Sequence, residues 1–396
     1  MYKTIQLLRE FSIPLITGVI AALAWANLSP EGYQAFVHYK IFGDIDLHFI
    51  ANDIIMVFFF GIAAVEITQS VLPGGDLNPI KKAINPLFAT LGGVIGPIVV
   101  FFVLNSIIGD PAYTNGWGIP TATDIALAWL IARFIFGAKH PAVSFLLLLA
   151  IVDDAIGLGI IAIFYPDPTH PVQPIWLLLT VIGMGVAFIL RKVKVNNYWP
   201  YMIIGGLFSW FGLYKASIHP ALALVFIIPF LPHAPRERDH LFEEDVDDHT
   251  PLAQFEHEWK AFVDFGLFVF GLTNAGVEFS GIGTITWIIF LSLLLGKSLG
   301  ISSFALLGEK FGFPLPQGMS HKDVFLVGVI AGLGLTVALF VAGAAFTDPT
   351  IQGAAKMGAV FSAFIALIAF VLARFFKVNK EPNVTLNKRN IRLKMF

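Results

Sequence analysis

The stretch "LLLLAIVDDAIGLGIIAIF", Leu146 to Phe164, is apolar at every position except two adjacent acids, Asp153 and Asp154. Its 19 residues, wound as a helix, rise roughly 28 Å, about the thickness of a bilayer's hydrocarbon core. A carboxylate at that depth costs about 3 kcal/mol or more. Few other ionisable side chains lie as deep: Asp124 in "GIPTATDIALA" and Lys297 in "LLLGKSLGISSF". Asp53 and Glu66 fall in the apolar run near 50–72, and His219 opens a later one. Intramembrane charges face the bundle interior and mark ion or proton pathways, or else glue helices as structural ion pairs. Three deep acids against one base argue for the first reading, because one pairing leaves two acids without a cation.

A carboxyl removed from water holds its proton more tightly, and a second acid beside it adds to the effect. Such a site holds protons near neutral pH unless a cation replaces them. Na+ is a hard ion that favours carboxylate, hydroxyl and carbonyl oxygens. Proton and Na+ therefore compete for the same oxygens, and exposing the site alternately to two sides exchanges one for the other. Neighbouring residues leave a helix about 100° apart. One of Asp153 and Asp154 can take the ion while the other meets Lys297.

The elements that would position these groups are membrane spans. Hydrophobic residues make up 57% of the 396-residue chain and charged residues 13%, about half the share expected of a soluble domain. The net charge of −2 gives no sign of a nucleic-acid partner, and the absence of cysteine excludes disulfides, thiolate metal sites and thiol nucleophiles. Apolar runs predict about twelve helices, near 11–28, 50–72, 86–108, 119–136, 142–164, 174–190, 199–214, 217–231, 260–280, 284–307, 323–346 and 355–376. With the N-terminus inside, Lys40, Lys215 and Lys356 face outward and Lys297 is buried, which leaves 21 of the 25 Lys and Arg on the inner side. That asymmetry predicts an even number of spans with both termini cytoplasmic. Residues 1–376 read as one transmembrane domain, with a cytoplasmic loop at 232–258 and a basic cytoplasmic tail at 377–396. The first residues also fit a cleaved signal peptide, with Lys3 and Arg9 before an apolar core and Ala24-Trp25-Ala26, but a retained first helix is simpler.

Two of the spans carry helix breakers. "GWGIPTATDIA" (116–126) combines Gly118, Pro120, Thr121 and Thr123, and "VGVIAGLGLTVALF" (327–340) combines Gly328, Gly332 and Gly334 with Thr336. Both read as interrupted helices, or the glycines serve close packing in the manner of Gly328-x-x-x-Gly332. Interrupted helices in the two halves of a chain, beside buried acids, point to a transport site. The positive N-terminal end of a half-helix would suit Asp124, and a negative C-terminal end Lys297. "HYKIFGDIDLHF" (38–49) fits an outer β-hairpin turning at Gly43-Asp44 and an irregular loop equally well.

On these residues the chain resembles the NhaA-type bacterial sodium/proton antiporters. The matching pieces are "IPTATDIALA", "LAIVDDAIGLGIIAIFY", "ASIHPALA", "TNAGVEF", "GKSLGIS" and "VGVIAGLGLTVALFVA", in family order over nearly the whole chain. The resemblance implies an all-α membrane fold of twelve helices with inverted repeats, in which the fourth and eleventh are unwound where they cross. It implies electrogenic Na+/H+ exchange, with Li+ a further substrate, for pH and sodium homeostasis in the bacterial inner membrane, and no cofactor. Asp154 and Asp124 would form the ion and proton site, with Thr123 near the cation. Asp153 would pair with Lys297, whose proton is a candidate for release during transport. The breaks would centre on Pro120, Gly332, Gly334 and Thr336. The hairpin at 38–49 would join two copies into a homodimer. Glu66, Glu256 and His257 occupy positions linked to pH sensing. This chain departs from the family there, reading "EITQS" (66–70) where many members follow the glutamate with a charged run, and carrying Lys260 where a histidine is often found.

Other chemistries fit less well. Pro220-Ala221-Leu222 matches a tripeptide of intramembrane aspartyl proteases, but their Gly-x-Gly-Asp is absent, so the chain is not read as an enzyme. A sodium symporter of organic anions would need an arginine or half-helix N-termini for a carboxylate, and no arginine is placed deep in a span by the apolar runs.

Overall fold

A computed structural model of the chain describes residues 12–43, 45–75, 77–78, 80–166, 171–233 and 250–378, with the side chains of 80–82 set aside. Lys3 and Arg9, Asp44, the 234–249 part of the loop expected to be cytoplasmic and the tail beyond 378 lie outside the described residues.

Long apolar runs become helices because backbone in hydrocarbon must hydrogen-bond to itself. Six helices are long and apolar enough to cross a bilayer: Leu47–Val71, Ala83–Ile108, Pro141–Phe164, Pro174–Lys192, Thr284–Lys310 and Pro349–Phe376. Two bent pairs raise that to eight among the described residues. Pro111–Thr121 and Ile125–Phe136 meet at 57°, and His321–Ala331 and Leu335–Ala345 at 48°. The protein is therefore a multi-pass membrane protein.

The four remaining expected spans are shorter or more polar. The run at 11–28 is Ile13–Leu28, with 16 residues. The run at 199–214 is Tyr201–Gly206, a π-helical turn, followed by Leu207–Lys215. The run at 217–231 winds as two 3-10 stretches, Pro220–Phe226 and Ile228–Phe230. The run at 260–280 begins earlier, as Pro251–Asn274, because Thr250 caps it and Pro251 takes the first helical position. Its first half consequently carries Glu256, His257, Glu258 and Lys260, which apolarity alone cannot register.

Burial sorts these helices. Pro141–Phe164, with the two acids, has 67% of its apolar window buried and runs through the interior, whereas Pro174–Lys192 has 17% buried and lies at the rim. The Lys297 helix is set by backbone contact with Ala83–Ile108. A Cβ on Gly96 would lie 2.9 Å from Gly300 Cα, and one on Gly300 would lie 3.0 Å from Gly96 Cα. Small residues four apart on both helices permit this approach. Gly300→Val must push the helices apart, at about 1–3 kcal/mol or more. We expect it to lose the monodisperse folded peak on size exclusion in detergent, while Ser303→Val on the exposed face of the same helix keeps it.

The segment expected on the outer side forms a hairpin. Lys40–Phe42 pairs antiparallel with Ile45–Asp46, Lys40 opposite Asp46 and Phe42 opposite Ile45. Gly43 supplies the turn at φ 58°, a conformation costly to a residue with a Cβ. Tyr39, Ile41 and Phe42 are left exposed.

Candidate functional site

The two interruptions touch. Pro120 has no N–H to extend its turn, the 3-10 helix stops at Thr121, and Ala122 is extended. Asp124 N donates to Leu333 O at 2.6 Å across to the second break. A Cβ on Gly334 would come 3.0 Å from Ala122 O, so any side chain there would crowd the crossing. Gly334 N donates to Ser362 Oγ at 3.2 Å, and that hydroxyl donates to Ala359 O at 2.6 Å. Gly328 behaves differently. Its Cβ would meet Ser298 Cα at 2.8 Å, so it serves packing on the Lys297 helix away from the break, whereas Gly332 lies at the break and also packs on that span, its Cβ 2.7 Å from Leu293 O.

Each break frees two helix ends with opposite partial charge. Asp124 joins the two positive ends. It caps Ile125–Phe136, Oδ1 accepting from Leu127 N at 3.2 Å, and Oδ2 accepts from Thr336 N at 3.3 Å and from Thr336 Oγ1, at the start of Leu335–Ala345. Lys297 serves a negative end. Its Nζ donates to Thr121 O, the last residue of the 3-10 half, and pairs with Asp153 Oδ2, both side chains fully buried. Thr123 bridges the remainder, with Oγ1 2.8 Å from both Asp153 Oδ2 and Ala331 O. A hydroxyl has one hydrogen. Thr123 can therefore serve the acid or the free helix end at any moment, not both.

Asp153 and Asp154 leave their helix toward different neighbours. Asp153 faces Lys297 and Thr123, while Asp154 lines a cavity of about 660 Å³ together with Asp124, Thr336, Glu66, Arg133 and Lys260. Asp154 Oδ1 is buried without a hydrogen-bond partner, and so is Asp153 Oδ1. Asp154 thus offers a carboxylate oxygen not committed to holding the fold. Arg133 stands in the cavity wall, stacked 4.3 Å from the centre of the Trp129 ring. It belongs to the last turn of Ile125–Phe136, at the span's end where the apolar runs place it. Of the pH-sensing candidates, Glu66 lines the cavity. Glu256 instead accepts from Gln69 Nε2 at 2.7 Å, and His257 is exposed.

Several side chains take a part in this geometry that the sequence does not assign to them. Tyr165, just beyond the double-acid helix, accepts from Gly118 N at 2.7 Å and donates to Asn115 O at 2.8 Å, tying the 3-10 half-helix to it. Tyr165→Phe leaves a buried N–H and a carbonyl unpaired, at about 1–3 kcal/mol. We expect a lower thermal unfolding midpoint in detergent, and an unchanged midpoint would remove the latch. Neither Ser362 nor Tyr165, which closes the quoted piece "LAIVDDAIGLGIIAIFY", shows its role in the sequence, because Gly334 N, Gly118 N and Asn115 O are backbone groups far away along the chain. Thr336 stood out only as part of a break, whereas it directly holds Asp124.

The Na+/H+ antiporter 1 family model matches residues 4–373. A Na+/H+ antiporter NhaA of Geobacter metallireducens is 64% identical over 382 residues, covering 96% of this chain and 100% of the relative. A second, from Desulfitobacterium hafniense, is 65% identical over 378 residues, covering 96% and 97%. Among solved structures, a sodium proton antiporter from Methanocaldococcus jannaschii matches with a TM-score of 0.53 at 13% identity, over 92% of each chain, a likeness of fold. With the match running nearly end to end, this chain belongs to the Na+/H+ antiporter 1 family.

Proposed function

We propose that the chain exchanges cytoplasmic Na+, and Li+, for external protons at Asp154 and Asp124, electrogenically and in the bacterial cytoplasmic membrane, in the service of pH and sodium homeostasis. The observation that carries this reading is the buried, unpartnered Asp154 Oδ1 in a cavity shared with Asp124. Two acids sharing one low-dielectric space cannot both stay charged without a cation, so loading Na+ displaces protons and the reverse. Thr123 and Thr336, with the backbone freed at the breaks, supply the neutral oxygens a hard cation prefers. Lys297 compensates Asp153 and is a candidate proton donor. Twelve spans in inverted repeats, both termini inside, complete the architecture, and the exposed apolar hairpin joins two copies in lipid. Glu66, with Glu256 and His257, remains the candidate pH sensor.

The test is the purified protein in sealed vesicles with a pH-sensitive dye and no organic solute. Adding Na+ outside should acidify the medium and alkalinise the lumen, and clamping the membrane potential with valinomycin and K+ should change the rate. Flux that appears only with an added organic anion would replace this reading with a symporter that uses Arg133.

A further inference from the structure

His140 stands where three parts of the site's scaffold meet. It is 4% exposed and N-caps the double-acid helix, its Nδ1 accepting from Ala142 N at 3.2 Å. Its ring stacks on Phe136, centroids 5.2 Å apart and planes at 21°. Phe136 ends the half-helix that Asp124 caps, and His140 N donates to Gly137 O at 3.2 Å across the short connection. From a third element, His321–Ala331, Asp323 faces the imidazole. Asp323 Oδ2 is already engaged by Ser320 N at 2.7 Å and Ser320 Oγ at 2.8 Å. Along its own stretch of chain the nearest cations are Lys139 and Arg133.

A ring nitrogen that accepts a hydrogen bond carries no hydrogen, so this cap exists only in the neutral imidazole with its proton on Nε2. Protonation puts a hydrogen on Nδ1, which then points donor to donor at Ala142 N. It also places a positive charge on the positive end of the helix. We propose that His140 is a positioning residue: neutral, it holds the double-acid helix against the half-helix of Asp124, and protonated, it releases that corner and slows exchange on the acid side.

Burial is the larger influence and pushes His140 below the ordinary histidine range, with Asp323 pulling the other way. The sign follows. A lowered value in the fold means the neutral form is favoured there, so the stabilisation is whole above the ordinary value of about 6.5 and is lost as pH falls through the folded one.

The experiment compares wild type, His140→Asn and His140→Ala as full chains in lipid. Asparagine caps a helix without titrating. Deuterium uptake by residues 139–146, corrected for the intrinsic pH dependence, should show wild-type protection falling about fivefold from pH 8 to 5.5. His140→Asn should stay level and His140→Ala low throughout. In the flux assay the acid limb of His140→Asn should move to lower pH than wild type. The role is overturned by wild-type protection that does not change with pH, or by superimposed flux profiles of wild type and His140→Asn. If His140→Ala does not fold, the asparagine comparison still decides. This inference rests on the antiport reading, and the deuterium measurement separates their failures, because it reports the cap even in a protein that carries no Na+.

Discussion

Asp154→Asn reduces Na+-driven proton flux to the level of protein-free vesicles at every pH, while the variant inserts, purifies and unfolds like wild type. Both halves of that expectation come from the same geometry. Asp154 Oδ1 is buried and bonds to nothing in the fold, so an isosteric amide removes no contact that holds helices together. Yet an amide neither takes up a proton in this pH range nor neutralises Na+ in a low-dielectric cavity. Asp124→Asn should be equally silent in flux but less stable. Its carboxylate answers two helix N-termini, through Leu127 N on one side and Thr336 on the other. An amide keeps one acceptor oxygen and loses the charge that suits both ends. The pair is measured by dye-monitored flux beside thermal unfolding in detergent. Wild-type flux in Asp154→Asn would sink the proposed site, whatever the stability result.

How much of this was legible beforehand follows from what each feature depends on. The buried acids and Lys297 announce themselves because a charge in an apolar run is costly wherever it sits. The breaks show as Pro120, Gly332 and Gly334 because those residues have local backbone consequences. The hairpin could not be separated from a loop by its own twelve residues, and only the pairing of Lys40 with Asp46 settles it. What stayed hidden is chiefly side chain to backbone. Tyr165 reaches Asn115 and Gly118, Ser362 reaches Gly334, and Lys297 reaches Thr121 O. A carbonyl freed by a break exists at every residue type, so nothing in the partner's identity marks it. The interlock of Gly96 with Gly300 was likewise invisible, since each helix alone shows only small residues among apolar ones. The start of Pro251–Asn274 was misplaced for another reason. Apolarity marks where lipid begins, whereas Thr250 and Pro251 mark where the helix begins.

Lys297→Ala is expected to lose about 3–5 kcal/mol of stability together with exchange, because it strands a buried acid. Asp153 would keep only the Thr123 hydroxyl, for which Ala331 O competes at the same 2.8 Å, and Thr121 O would lose its donor. The loss alone does not say what the pair is for. A buried ion pair is often no more stabilising than an apolar pair of similar volume, and its cost appears when one member is removed. The double variant Lys297→Met with Asp153→Leu therefore separates the two roles. If the pair is glue, the double variant regains most of the lost stability and with it the flux, since Asp154 and Asp124 are untouched. If the pair takes part in transport, stability returns and flux does not, because Thr123 no longer has an acid to serve when it leaves Ala331 O. We expect the second outcome, read from unfolding midpoints beside initial flux rates. Unchanged stability in the single variant would instead mean that the fully buried ammonium and carboxylate are not holding one another in the membrane.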